Sequence, residues 1–231
     1  MRRWVLVGAL FGFGSVGVAS QKAIAPELGK IHDGKKWSMV NAVAETAVES
    51  GASVVRLTPR GDLDAPGSHV GLALVEGVDL GEGTIEIDLK GKGAEQASFV
   101  GVAFGAVDDK TFEAVYFRPF NFTRDGEKDG QPFRAHAVQY VAWPSNTWEK
   151  LRKETPGKYE AAVEPVPDPA AWFHARVEVG KERVRVFVDG GKEPCLVVER
   201  LPHQRGKVGL WVDSRDGSFR NLRIVPRSSA R

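Results

Sequence analysis

The sequence predicts an all-β protein built as a sandwich or barrel, and three observations predict it. Short apolar runs alternate with polar residues at period two. Gly, Pro and Asp punctuate those runs. No stretch carries a long helical period or a strand–helix–strand alternation. Strands are expected at Ser53–Thr58, Gly71–Val75, Thr84–Lys90, Ser98–Gly105 and Phe112–Arg118. Further strands are expected at Arg134–Ala142, Phe173–Val179, Arg183–Asp189, Leu196–Glu199, Lys207–Asp213 and Phe219–Val225. Turn signals stand at Asp189-Gly190-Gly191 and Val179-Gly180-Lys181. One short helix is expected over Trp148–Lys153, where Trp148, Leu151 and Arg152 share a face. Asn146 or Thr147 can cap it, and Pro156-Gly157 stops the helix from continuing. Glu164–Ala170 (EPVPDPA) is expected as a stiff loop, because patterned strands continue on both sides of it.

A chain of 231 residues suits one large β domain. With 42% hydrophobic and 27% charged residues, it is expected to fold rather than stay disordered. Arg2 and Arg3 precede an apolar run from Trp4 to Ala19, and Val18-Ala19-Ser20 offers small residues for a signal peptidase. The partition expected is a signal peptide at 1–20, a linker at 21–36, the sandwich at 37–226 and a tail at 227–231. The run is short for a bilayer span of about 20 residues, so the mature protein is expected to be secreted or periplasmic, with no membrane contact after cleavage. Two of the 32 basic residues, Arg2 and Arg3, lie in the signal, and the remaining 30 match the 30 acidic ones. That balance argues against a nucleic-acid partner. Cys195 is the sole cysteine and sits in Pro194-Cys195-Leu196-Val197-Val198, so no internal disulfide forms and the thiol reads as a small buried hydrophobe. The five histidines, His32, His69, His136, His174 and His203, lack zinc spacing. No cofactor is expected. Calcium is the one candidate ion, at Asp213-Ser214-Arg215-Asp216-Gly217, whose blander reading is a polar hairpin turn.

Two regions suggest chemistry. In Thr84–Leu89 (TIEIDL), alternation places Glu86 and Asp88 on one face and Ile85, Ile87 and Leu89 on the other. Retaining glycosidases hold two carboxyl groups about 5 Å apart, and the fragment resembles the E-x-D-x-x-E signature of family 16 glucanases. Lys90 and Gly91 stand where the third acid belongs, so the fragment reads as a strand with a solvated outer face. The middle of the chain is richer. In Glu113–Phe122, Val115 and Phe117 share one face, and Tyr116 and Arg118 the other. In Ala135–Pro144, Gln139 lies opposite Val138 and Tyr140. With the apolar sides turned inward, Tyr116, Arg118 and Gln139 are expected to converge on one exposed surface, where Gly101, Ala103 and Gly105 leave room for a ligand. Arg, Asn and Gln offer planar hydrogen-bonding edges to neighbouring hydroxyls, and aromatic rings cover the C–H face of a sugar. The candidate ligand-binding set is therefore Tyr116, Arg118, Asn121, Gln139, Trp143, Trp148 and Arg152, with Tyr159 near in sequence.

TIEIDLKG, VYFRPFNF, HAVQY, WFHARVEVGKERVRVFVDG and GKVGLWVDSRDGSFRNLRI succeed one another along residues 37–225. In that order they resemble the concanavalin-A-like lectin/glucanase superfamily. More narrowly, the chain is similar to laminin-G-like bacterial domains and to the 3-keto-disaccharide hydrolase family. The resemblance implies a two-sheet antiparallel jelly-roll sandwich of the concanavalin-A-like kind. In the hydrolase family an Arg-bearing strand precedes a Tyr-Glu-x-Gln-like strand. Arg118 and Gln139 match, but Ala137 occupies the acid position, which speaks against hydrolysis and leaves glycan binding untouched. A secreted carbohydrate-binding protein is the first expectation, with a carbohydrate as its partner. A glycoside hydrolase or lyase acting on a (3-keto-)glycoside, with Glu113 or Glu160 as its acid, is the second. A protein-interaction or structural domain is the third.

Overall fold

The computed structural model describes residues 22–60, 70–93, 98–128, 130–201 and 205–227. The expected signal peptide lies outside them. Its strands are β1 (Trp37–Val40), β2 (Ala42–Glu49), β3 (Ala52–Pro59), β4 (Val70–Val75), β5 (Gly83–Lys90) and β6 (Phe99–Ala106). They continue as β7 (Phe112–Phe117), β8 (Glu127–Lys128), β9 (Gln131–Pro132), β10 (Val138–Trp143) and β11 (Glu160–Ala161). The last are β12 (Phe173–Val179), β13 (Arg183–Val188), β14 (Leu196–Glu199), β15 (Lys207–Asp213) and β16 (Gly217–Pro226), and helix α1 spans Trp148–Glu154. Two seven-stranded antiparallel sheets face each other. Sheet 1 runs β1-β4-β15-β6-β7-β10-β11, and sheet 2 runs β14-β13-β12-β5-β16-β3-β2. The fold class is thus the expected all-β sandwich.

The two sheets differ on their outer faces. In sheet 2 burial alternates residue by residue along β5 and β12. Ile85, Ile87, Leu89, Phe173, Ala175 and Val177 enter the core between the sheets. Their neighbours Glu86, Asp88, His174, Arg176 and Glu178 face outward in a lattice of opposite charges. Asp88 takes hydrogen bonds from Arg220 Nε at 3.0 Å and Asn221 Nδ2 at 2.8 Å and lies 2.8 Å from His174 Nδ1. Glu86 pairs with Arg223, and Glu178 with Arg176 and Arg185. The two carboxylates of TIEIDL are therefore parts of this solvated charge ladder. In sheet 1, by contrast, β4, β6, β7 and β10 are buried along nearly their whole length. Strands shielded on both faces lose the alternation that marks a half-exposed strand.

Several expectations need correction. The part of the expected 21–36 linker from residue 22 onward packs on the sandwich. Ile24 bridges Ile224, and Leu28 and Ile31 join the core. β1 and β2 went unpredicted. β2 is the edge of sheet 2, exposed from Glu45 onward, so its sequence AVAETAVE carries little apolar signal. The strand expected at Arg134–Ala142 starts only at Val138, because Phe133–His136 forms a turn of 3-10 helix. Helix α1 appears where expected, with Thr147 at the cap position but no side-chain cap bond. The Asp189-Gly190 signal is a true turn, with φ of 46° and 72°, a left-handed pair that suits a hairpin connection.

Candidate functional site

Outer-face side chains of sheet 1 line up in one row across its strands. Backbone register pairs Glu160 with Gln139, Gln139 with Tyr116, Tyr116 with Gly101, Gly101 with Trp211, and Trp211 with Leu72. Directly opposed residues share a face, so Glu160, Gln139, Tyr116, Trp211 and Leu72 all point away from the inter-sheet core. Gly101 makes the row possible. A Cβ there would lie 2.1 Å from the Val115 carbonyl oxygen and 2.6 Å from Tyr116 Cα. Without a side chain between them, Tyr116 and Trp211 stack across β6, their ring centroids 4.5 Å apart and 24° from parallel.

A polar network sits on the Gln139 end of the row. Tyr116 Oη donates to Gln139 Oε1 at 2.8 Å. Arg118 donates from Nη2 to Tyr116 Oη at 2.9 Å and to Gln139 Oε1 at 2.5 Å, and from Nη1 to the His136 carbonyl at 2.9 Å. Asn121 Nδ2 reaches the same carbonyl at 3.4 Å. Arg152, on α1, holds Glu160 bidentately, Nε to Oε1 at 3.0 Å and Nη2 to Oε2 at 2.6 Å. His136 Nδ1 lies 2.8 Å from Glu160 Oε2 but without an aligned hydrogen bond, so that approach is electrostatic. Arg118 stands 4.0 Å from the same oxygen.

Burial governs the ionisation of this network. It pushes the Tyr116 phenol up to about 12 and pulls the Arg118 guanidinium down. Burial also raises the Glu160 carboxyl, but the hydrogen bonds and charge of Arg152, aided by His136, outweigh it and leave the group below its ordinary value. Glu160 is therefore an ionised acceptor rather than an acid holding a proton. Four polar atoms of the network are buried without a hydrogen-bond partner: Gln139 Nε2, Trp211 Nε1, Asn121 Oδ1 and His136 Nδ1. Such groups are rare and costly.

Sequence reasoning grouped Tyr116, Arg118, Asn121 and Gln139 correctly in space, but they are not exposed. Gln139 is 0% accessible, Tyr116 3%, Asn121 4% and Arg118 6%. Arg152 belongs to the same network. Trp148, half-exposed, lies at its rim with the Arg152 guanidinium 5.2 Å from its ring. Trp143 stands apart, stacked on Phe112 farther along β10 and β7. Tyr159 is buried against Tyr140. Glu113, one of the two acids considered, faces the inter-sheet core. There it accepts from Arg200 Nη2 at 2.8 Å and from Tyr140 Oη at 2.7 Å. Trp211 and His136 were missed. In GLWVD, Trp211 reads as one more apolar core residue, although alternation against Leu210 and Val212 marks it as facing outward.

The proposed calcium loop does not fit the ion. Asp216 Oδ2 accepts from Arg56 Nε at 2.9 Å and its Oδ1 lies 2.5 Å from Lys92 Nζ, so two cations already occupy this carboxylate. Among the described residues, no group of three His, Cys, Asp or Glu side chains is placed to hold a metal. The same residues border a hollow of about 430 Å³ on sheet 2, lined by Arg56, Lys90, Lys92, Asp216 and Ser218 among others. Its Arg56, Lys92 and Asp216 satisfy one another, whereas the sheet 1 row leaves donors unsatisfied.

No family model and no curated protein matches the chain. Solved structures do. The chain is similar to the carbohydrate-binding module CBM66 from Bacillus subtilis, with 16% identity over 84% of this chain and 96% of that one and a TM-score of 0.53. It is similar to a galectin-like protein of unknown function from Bacillus subtilis, at 12% identity over 91% and 100% and a TM-score of 0.54. It is also similar to the Bacillus licheniformis β-glucanase, at 12% identity over 84% and 94% and a TM-score of 0.51. Likeness at this identity speaks to architecture. The chain has the concanavalin-A-like lectin/glucanase fold.

Proposed function

We propose that the protein is a carbohydrate-binding sandwich whose ligand docks at the exposed rim of the sheet 1 network, on Trp148 and Arg152. The observation that carries this is the half-exposed Trp148 ring with the Arg152 guanidinium 5.2 Å from its centre, an open aromatic face beside a charged hydrogen-bonding edge. A guanidinium edge suits sugar hydroxyls, and an open aromatic face suits sugar C–H groups. The solved structures of similar fold include a carbohydrate-binding module, which supports the reading. We place ligand entry at the α1 rim, where Trp148 is 39% accessible and Arg152 bridges to Glu160. Binding is favoured over hydrolysis by the state of the acids. Glu160 is held ionised by Arg152, and Glu113 is locked to Arg200 on the opposite face. Glycosidases need two carboxyl groups with pKa values pushed apart across one cleft. Export to the periplasm or outside the cell fits such a role. Among the described residues, no helix is long and apolar enough to cross a membrane.

The test is a glycan array followed by titration of the wild type and Trp148→Ala. Alanine removes the exposed ring and leaves the buried network in place. The expected result is glycan retention by the wild type and about tenfold weaker binding by Trp148→Ala, the share of one aromatic contact of about 1.4 kcal/mol. Equal binding by both would move the site off this rim. An array without a single retained glycan would remove the reading.

A further inference from the structure

We infer that the hollow on the outer face of sheet 2 is a second carbohydrate site, which takes an uncharged oligosaccharide. The inference shares its ligand class with the reading above but stands on different residues.

The hollow lies over β2, β3, β16 and the end of β5, and its volume is about 430 Å³. That is the size of a small-ligand pocket. Backbone register lays one row of side chains across it. Lys90 pairs with Ser218, Ser218 with Arg56, and Arg56 with Glu45. Directly opposed residues share a face. It is the outer face, because their neighbours Leu89, Phe219, Leu57 and Ala44 enter the core. The row is open to solvent. The Arg56 side chain is 54% accessible and that of Glu45 74%, while Lys90 and Ser218 are half-buried.

The floor is fixed by the protein itself. Asp216 accepts from Arg56 Nε at 2.9 Å and from Lys92 Nζ at 2.5 Å. Burial raises its carboxyl, but Lys92 and Arg56 outweigh that and hold the group below its ordinary value. Ala47 and Val54 add apolar surface. Around this floor, Lys90, Ser218 and Glu49 keep their polar groups for a ligand. Among the described residues, their side chains make no hydrogen bond and no ion pair.

Charge selects the ligand. Three cations, Arg56, Lys90 and Lys92, line the hollow together with three carboxylates, Glu45, Glu49 and Asp216. The two lysines stand at the end of β5 and just after it, whereas Glu45 and Glu49 stand on β2, so opposite walls differ in sign. A ligand with net charge is drawn to one wall and repelled by the other. A hydroxyl both donates and accepts, so an uncharged sugar answers the ammonium wall and the carboxylate wall together. The span points to more than one ring. Lys90 and Arg56 are two strand spacings apart, about 10 Å, a distance that two linked pyranose rings cover. Half-buried Trp172 prolongs the row, its ring centre 6.0 Å from Lys90 Nζ, and offers apolar surface to sugar C–H groups. The Arg220 guanidinium, 4.4 Å from the same centre, holds the indole in place.

The experiment uses three neutral trisaccharides, cellotriose, laminaritriose and mannotriose, and two charged ones, trigalacturonate and chitosan trisaccharide. Each is titrated calorimetrically into the wild type, Trp148→Ala, Lys90→Ala and the double variant, with a thermal melt of each protein. Lys90 makes no ion pair, so Lys90→Ala should melt as the wild type does. The expected result is two sites per chain for at least one neutral trisaccharide. Lys90→Ala should weaken one site about tenfold, and Trp148→Ala the other. At the site that Lys90→Ala weakens, the charged trisaccharides should bind about tenfold less tightly than the neutral one. Should Lys90→Ala lower the melt, Glu49→Gln on the opposite wall decides, with the same loss of binding expected. A single site, weakened by Trp148→Ala and untouched by Lys90→Ala, would overturn the inference and leave the rim reading intact. Binding lost in Lys90→Ala and unchanged in Trp148→Ala would uphold the inference and remove the rim. Charged trisaccharides bound in the hollow as tightly as neutral ones would overturn it, as would failure of all five to bind.

Discussion

Replacing Arg118 with alanine tests whether the network on sheet 1 is part of the fold as well as of the site. From the sequence, an Arg on an outer strand face has no packing reason to be there, and its loss should leave stability unchanged. The structure requires the opposite. The Arg118 side chain is 7% accessible and its guanidinium donates to Tyr116 Oη, Gln139 Oε1 and the His136 carbonyl. A hydrogen bond to a charged group contributes about 1.5–3 kcal/mol, and bonds sharing one guanidinium do not add. Allowing one such contribution plus the cost of the space left behind gives about 3 kcal/mol. For a domain of this size each kcal/mol moves the melting temperature by about 2–4 °C, so the expected fall is about 6–12 °C. The assay is a thermal melt by circular dichroism at pH 7, with an exposed substitution such as Lys35→Ala as control. A surface change is worth about 0.5 kcal/mol. If Arg118→Ala melts within about 2 °C of the wild type, the buried network contributes nothing to the fold and the reasoning fails.

Three further outcomes rest on the same physics. Glu113→Ala strips the carboxylate from Arg200, whose side chain is 0% accessible, and should destabilise by about 3–5 kcal/mol in denaturant melts. Because the Glu160 pKa is lowered in the folded state, its contribution is present above the unfolded value of about 4.3 and fades as pH falls through the folded one. The melting gap between wild type and Glu160→Gln should therefore be widest near pH 7 and shrink steadily below about pH 4; a constant gap would contradict the assignment. Cys195 is only partly buried, yet desolvation pushes its thiol up to about 11 and Sγ lies 3.4 Å from the Val186 carbonyl oxygen. Thiol reagents at neutral pH should label the native protein far more slowly than the unfolded one.

Residue pattern alone specifies the β-sandwich and the facing of its central side chains. Alternation is a local property: Val115 and Phe117 must lie opposite Tyr116 and Arg118 on any extended strand. That is why β5, β12, β13, β14 and β15 are legible nearly to the residue, and why Tyr116, Arg118 and Gln139 group together on pattern alone. Alternation does not carry the environment of each face. On sheet 2 the outer face is a charge ladder that absorbs Glu86 and Asp88. On sheet 1 it is shielded, so Arg118 and Gln139 are buried partners rather than exposed ones. Strand order also lies beyond the sequence. Trp211 is remote in the chain from Tyr116, and only the placement of β15 beside β6, with Gly101 between the two rings, brings them into contact. Glu160 joins the network because two-residue β11 pairs with β10 and α1 brings Arg152 across it. Local pattern fixes which way a side chain points, whereas long-range pairing decides what meets it there, and the candidate site is made of such meetings.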